Sequence, residues 1–350
     1  MISGPELGGA IGLMFFLANS IAVSMYLIGF CESLLDCMEQ YGGFTGITDD
    51  RLNDIRIIGV TGLVAIFILA IIGMGWITRV QVGLLALLIV SQVDFIVGTF
   101  IPPTDELKAK GFIGYNATLL ESNLWSAYTH NEESGGQHNF FSIFAVFFPA
   151  VTGIVAGANM SGDLKDPSDA IPKGTLLSIA VTFVSYLVYA VLAAACSLRA
   201  ASGNLNEVYL AQGTLNATIA EEQNITRFFD DCEGRECSFG LIYGQQMMEV
   251  MSAWGPLIYA GCFAATLSSA IGSLEGAPRV FQAIAKDKLL PGLHFFAKGR
   301  GANNDPFRGY VLVTAIAFVC LLIGNLNIVS FSNFFFFNNN FLNLGHFRTS

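Results

Sequence analysis

Apolar residues gather in runs of about 20, the length that crosses a bilayer core. The runs lie at 9–36, 57–78, 80–101, 140–160, 174–199, 246–272, 309–325 and 328–345. This pattern predicts an all-α polytopic membrane protein with about eight transmembrane segments. Inside the fourth run, FFPAVTGIVAG at 147–157 sets Pro149, Gly153 and Gly157 where a spanning helix should be continuous. An unpaired backbone group in hydrocarbon is costly, so a break survives there only inside protein or beside a wet cavity. The segment predicts a discontinuous helix, with a tolerated kink as the competing reading. Gly8 and Gly12 in the first run have GxxxG spacing, which favours close helix packing.

The polar stretches between the runs orient the chain. Residues 200–245 hold Glu207, Glu221, Glu222, Asp230, Asp231, Glu233 and Glu236 against Arg227 and Arg235. The same loop carries the sequons at Asn216 and Asn224 and the spaced pair Cys232 and Cys237. Together these mark an extracellular, oxidising face. The next loop, 273–308, is the basic one, with Arg279, Lys286, Lys288, Lys298, Arg300 and Arg308, as a cytoplasmic loop should be. Counting outward, 102–139 is extracellular and holds a third sequon at Asn116, while 161–174 is cytoplasmic. In the latter, Asp163, Asp166, Asp169 and Pro172 read as chemistry of a helix start rather than a metal site. RVFQAIAKDKLL at 279–290 has the mixed pattern of an amphipathic helix at the inner surface. The first residues, MISGPELGGAIG, lack the positive n-region of a cleavable signal and read as a point within a longer protein. Residues 330–350 are almost reduced to Phe and Asn, with Asn338–Asn340 expensive in lipid, and read as a divergent or truncated end.

Composition narrows the function classes. The chain is 53% hydrophobic and only 13% charged, with a net charge of −10, which argues against nucleic acid as a partner. The four histidines show no HExxH spacing, no GxxxxGK[ST] or GxSxG motif occurs, and the seven cysteines form no paired CxxC zinc arrangement. The residues predict no enzyme and no cofactor; an intramembrane enzyme is the most distant alternative.

Polar groups within the spans carry more. Tyr26 lies in the first run and Asp94 toward the outer end of the third. Ser268 and Ser269 sit in AATLSSA at 264–270, and their hydroxyls are hard oxygen ligands of the kind an alkali cation takes. Packing or back-bonding to the helix is the competing reading for the serines. At the break, freed carbonyls near Pro149 and Thr152 can face a cation. The N–H groups of Gly153, Ile154 and Val155 can hold an anion at the start of a resumed helix. Broken helices at the midplane mark substrate sites in secondary transporters built from inverted repeats.

Long, collinear stretches of this chain resemble the cation–chloride cotransporters of the amino acid–polyamine–organocation superfamily. They are GPELGGAIGLMFFLANSIAVSMYLIGF, NDIRIIG, GFIGY, FFPAVTGIVAGANMSGDLKDPSDAIPKGTLL, AATLSS, GAPRVFQAIAKD and NNDPFRGY. The resemblance implies that residues 1–350 hold a partial inverted-repeat transmembrane domain, from the family's third to about its tenth helix. It implies potassium contacts at Tyr26, Pro149 and Thr152, and chloride contacts at Gly153, Ile154 and Val155. It further implies sodium contacts at Ala265, Ser268 and Ser269. The sodium–chloride branch has His at the Tyr26 position and the potassium–chloride branch lacks the serine pair. Both features point to the sodium–potassium–chloride branch, whose members are multi-pass plasma-membrane proteins. The transported ions and the bilayer are the implied partners, with a homodimer as the implied assembly.

The match departs in places. Asn339 aligns where the family has a Tyr at its second chloride site, GSLEGAPR is closer to the potassium–chloride style, and only Cys232 and Cys237 form an evident loop pair. The expectation is electroneutral symport of sodium, potassium and chloride by the whole protein, with this stretch alone unable to complete the sites. The alternatives are the sodium–chloride or potassium–chloride branch, or a non-transporting truncated isoform that modulates a full-length partner.

Overall fold

The computed structural model describes residues 5–43, 46–48, 50–126, 128, 130–131, 136–137, 139–147, 157, 166–205, 237–244, 246–288, 292–300, 304–324 and 329. These are almost wholly helical: α1 (Pro5–Gly42), α2 (Arg51–Ile72), α3 (Met74–Phe100), α4 (Asp105–Ala109), α5 (Ala117–Asn123) and α6 (Phe140–Phe147), then α7 (Pro167–Cys196), α8 (Gly240–Tyr243), α9 (Met247–Met251), α10 (Gly255–Lys286) and α11 (Phe307–Leu321). A two-residue antiparallel ladder pairs His130 with Gln137, and a 3-10 turn covers Leu293–Phe296. Among the described residues α1, α2, α3, α7 and α10 are long and apolar enough to cross a membrane, and α11 is a shorter apolar helix. The chain is a multi-pass membrane protein. The predicted eighth run lies outside the described residues except for Val329, which is buried.

The contacts divide into two compact units, one of Met1–Leu87, Phe140–Leu177 and Cys262–Ser350, the other of Leu88–Asn139 and Ser178–Gly261. The first is built on α1, whose length and apolar faces let α2, α11 and the inner part of α10 pack around it. Phe16, Val23 and Leu27 of α1 share a core with Leu63 and Ile66 of α2, Leu274 and Phe281 of α10, and Val313 and Ala317 of α11. Gly12 makes the close approach that its spacing predicts: a Cβ built there would lie 2.5 Å from Ile284 Cδ1. Gly12→Val therefore forces a clash into a packed seam, and overpacking of this kind costs about 1–3 kcal/mol. We expect a lower melting temperature in detergent, read by differential scanning fluorimetry, and an unchanged one would mean that Ile284 moves aside freely.

Polar groups fasten the ends of these helices. α1 continues past the apolar run to Gly42 because Arg51 ion-pairs with Asp36 and reaches Glu39 at 3.6 Å. Buried Asp54 accepts Ile47 N (3.1 Å), Thr48 N (2.8 Å) and Thr48 Oγ1 (2.7 Å), which shapes the turn before α2. Arg56 Nε donates to Leu322 O at 2.8 Å and satisfies a carbonyl just past the end of α11.

Three boundaries differ from the sequence expectation. The second and third runs part at Gly73, not after Thr78, because Gly73 takes a φ of 113° that only glycine adopts without strain. Arg79, the one residue between the 57–78 and 80–101 runs, sits 5.4 Å from the Trp76 ring centroid as a cation–π pair within α3. The 174–199 helix begins earlier, at Pro167, whose missing N–H is harmless in the first turn, and Pro172 lies in the second turn rather than at the start. The 246–272 run is split: α9 stops at Met251, and α10 begins at Gly255 and continues to Lys286. Residues 279–286 are therefore the inner turns of a long helix, with Phe281, Ile284 and Ala285 buried, and not a separate surface helix.

In the second unit, Phe95, Phe112, Cys196, Met247, Met251 and Ile258 form the core. The backbone at 251–253 packs directly on Gly98 of α3, where any side chain would collide with it. Arg199 Nε donates to Asn123 Oδ1 (3.0 Å), and Asn123 Nδ2 donates to Ala194 O (2.8 Å) and Ser197 O (3.0 Å), which pins α5 beside the end of α7.

Candidate ion site

Helices α1 and α10 run antiparallel, and four contacts set their register. Gly12 meets Ile284, Phe16 stacks on Phe281 with ring centroids 4.2 Å apart, Gly29 meets Thr266, and Phe30 meets Phe263 edge-on at 5.4 Å. On α1, residues 12, 16, 19, 23, 26 and 30 follow the 3.6-residue period and share one face. Tyr26 thus lies on the α10-facing stripe, half-buried, between the level of Phe16 and that of Phe30. The register puts it level with residues 267–271 of α10, the turn that holds Ser268 and Ser269.

The serines do not point at α1. Ala270, Leu274, Ala277 and Phe281 form the buried seam of α10, and Ser268 stands on the opposite flank, with Ser269 between. Ser268 Oγ donates to Ala265 O at 3.0 Å, back-bonding of the kind the competing reading anticipated. Two of the three predicted sodium oxygens are therefore already adjacent, on one turn of helix. Ser20 and Ser24 of α1, fully buried, bond back in the same way to Phe16 O (2.7 Å) and Ile21 O (2.6 Å). Pro149, Thr152, Gly153, Ile154 and Val155 lie outside the described residues, as does Asn339. Of residues 147–157, Phe147 closes α6 and Gly157 is helical, with Thr175 Oγ1 of α7 4.0 Å from a Cβ built on it.

Asp94, the ionisable group of the third run, is a helix anchor: Trp254 N donates to its Oδ2 at 3.3 Å, and Ala253 N donates to its carbonyl at 3.4 Å, just before α10 begins. Asn116 is exposed and caps α5, its Oδ1 accepting from Thr118 N (3.0 Å) and Thr118 Oγ1 (2.7 Å). Beside it, the Tyr115 hydroxyl hydrogen-bonds Thr99 Oγ1 at 2.9 Å, and desolvation holds its pKa above the ordinary phenol value. Cys237 is disulfide-bonded, while Cys31, Cys37, Cys196, Cys262 and Cys320 are thiols outside any disulfide. Asn216, Asn224 and Cys232 lie outside the described residues.

One polar cluster went unread in the sequence. Glu275, 2% exposed, pairs with Arg279 Nη2 at 3.3 Å, and the same nitrogen is 4.0 Å from Asp305 Oδ1. Arg279 also hydrogen-bonds the buried Tyr310 hydroxyl. The signal was the i, i+4 spacing of Glu and Arg in GSLEGAPR, hidden because those charges were assigned to a loop.

A profile of the family described as amino acid permease matches residues 2–347, nearly the whole chain. The chain belongs to the amino acid permease family. Within that family it is 44% identical over 349 residues to solute carrier family 12 member 1 of Mus musculus. It is also 44% identical over 350 residues to solute carrier family 12 member 2 of Squalus acanthias. A third relative, the bumetanide-sensitive sodium-(potassium)-chloride cotransporter of Manduca sexta, is 43% identical over 335 residues. These alignments cover 99%, 99% and 95% of this chain but only 31%, 28% and 31% of the relatives. The permease chain thus spans about a third of the length of the relatives it matches, and the resemblance read from its motifs runs along almost all of it.

Proposed function

We propose that this permease chain is part of a plasma-membrane carrier, not an enzyme, that couples sodium to potassium and chloride in electroneutral symport. The observation that carries the reading is the 43% identity, over 95% of the chain, to a protein named as a sodium-(potassium)-chloride cotransporter. Two cations balanced by two chlorides move no net charge, so the membrane potential neither drives nor opposes the cycle. In this reading Ala265, Ser268 and Ser269 hold sodium, Tyr26 with Pro149 and Thr152 holds potassium, and the backbone of Gly153, Ile154 and Val155 holds chloride. The register supports it by bringing Tyr26 level with the serine turn, so that one layer of the bundle holds both sets of oxygens. The outer loops carry glycans at Asn116, Asn216 and Asn224, Cys232 closes the disulfide of Cys237, and the whole protein works as a homodimer.

Ion replacement tests the reading. In cells expressing the complete coding sequence that carries these residues, rubidium uptake is expected to need external sodium and chloride together. Uptake that persists without sodium would reassign the chain to potassium–chloride coupling. The parenthesis in the Manduca sexta name favours one second reading, sodium–chloride coupling. Sodium uptake indifferent to potassium would establish it.

A further inference from the structure

A polar stripe runs along the flank of α10 that faces away from α1. Ser268, Gly272, Glu275, Arg279 and Gln282 follow one another at helical spacing. Arg279 is the member with divided attachments. Glu275, at 3.3 Å, belongs to its own helix, whereas Asp305, at 4.0 Å, and Tyr310 belong to the segment that opens α11. Gln282 adds a parallel thread, donating from Nε2 to Asn304 O at 3.2 Å.

Such a cluster is a poor source of stability. Removing charges from water offsets most of their attraction, and well-packed apolar residues often serve a fold equally well. An ionisable pair within a membrane helix points instead to a working part. The one Arg279 nitrogen lies within reach of both carboxylates, Glu275 at 3.3 Å and Asp305 at 4.0 Å, and a guanidinium shared in this way can be biased toward either.

We propose that Arg279 is a two-position latch that positions the Ala265–Ser269 turn. Held by Glu275, it leaves Asp305 and the segment ahead of α11 untied; drawn to Asp305, it ties that segment to the inner end of α10. Its displacement passes up α10 to Ser268, two turns beyond Glu275 on the same stripe. The proposal rests on the reading that this protein alternates which of its faces is open. Its test reads exposure rather than flux, so the two can fail separately.

The reporter is a cysteine placed by Gly272→Cys, where no described atom comes within 4 Å of a Cβ built on the backbone. A membrane-impermeant thiol reagent is applied to the inner face of vesicles holding the complete protein, and the parent without the reporter sets the background. Glu275→Gln sends Arg279 to Asp305 and should slow labelling several-fold. Asp305→Asn removes the tie and should speed it. Arg279→Lys, which cannot serve two partners with a planar fork, should abolish the opposition between the two variants. A merely structural cluster would move both in the same direction. Shifts of the same sign, or no shift in either, would overturn the latch.

Discussion

Replacing Ser268 and Ser269 together by alanine is expected to raise the sodium concentration for half-maximal rubidium uptake by about tenfold or more, with the potassium dependence little changed. Each hydroxyl facing a cation contributes on the order of a charged hydrogen bond, about 1.5–3 kcal/mol, and 1.4 kcal/mol is already a factor of ten. The fold should tolerate the change. Ser268 Oγ spends its hydrogen bond on Ala265 O within its own helix, and the helix keeps that carbonyl satisfied when the hydroxyl is gone. Alanine is also the better helix former at both positions. A loss of sodium affinity at normal surface abundance would therefore reflect the ion and not the scaffold. Should sodium affinity stay at its parental value, the back-bond would be the whole role of Ser268, and the sodium assignment would fall.

Tyr26→Phe should do the converse. The ring keeps its place against the two buried clusters of the first unit, and only the hydroxyl is lost. Half-saturation for rubidium is expected to rise about tenfold, again the scale of one charged hydrogen bond, while sodium half-saturation holds. Measuring both ions in both variants makes the pair self-checking. If either substitution weakens both cations equally, the register that sets the tyrosine and the serines on separate faces does not correspond to separate sites.

Legibility in the sequence followed the physics of each signal. The long apolar helices were plain because nothing but a bilayer asks for such runs. The Gly12 packing was plain from spacing alone. Helix ends were less so. Arg79 looked like a boundary because a charge is costly in lipid, but its stacking on Trp76 let α3 run through it, and the break fell to Gly73. The same bias hid Glu275 and Arg279. The apolar run reads as ending at 272, just before the first of these charges, which left both in a loop. In the structure they neutralise one another inside a helix that continues to Lys286. Asp94 offered no way to tell an ion ligand from an anchor, because its partners are backbone amides more than 150 residues away along the chain. The stripe of Tyr26 was present in the spacing of residues 12 to 30, but which helix it faced was not.

The contact between Gly12 and Ile284 bears on how this seam could change over generations. With almost no free volume between them, the two positions behave as one locus written in two places. A lineage that acquires a larger residue at 12 can keep it only after trimming 284, and the reverse order is the permissive one. Shortening Ile284 first leaves a small void that the fold survives, whereas enlarging Gly12 first requires the Ile284 side chain to turn out of its place. Drift across this seam should therefore be directional, with contraction on α10 preceding growth on α1.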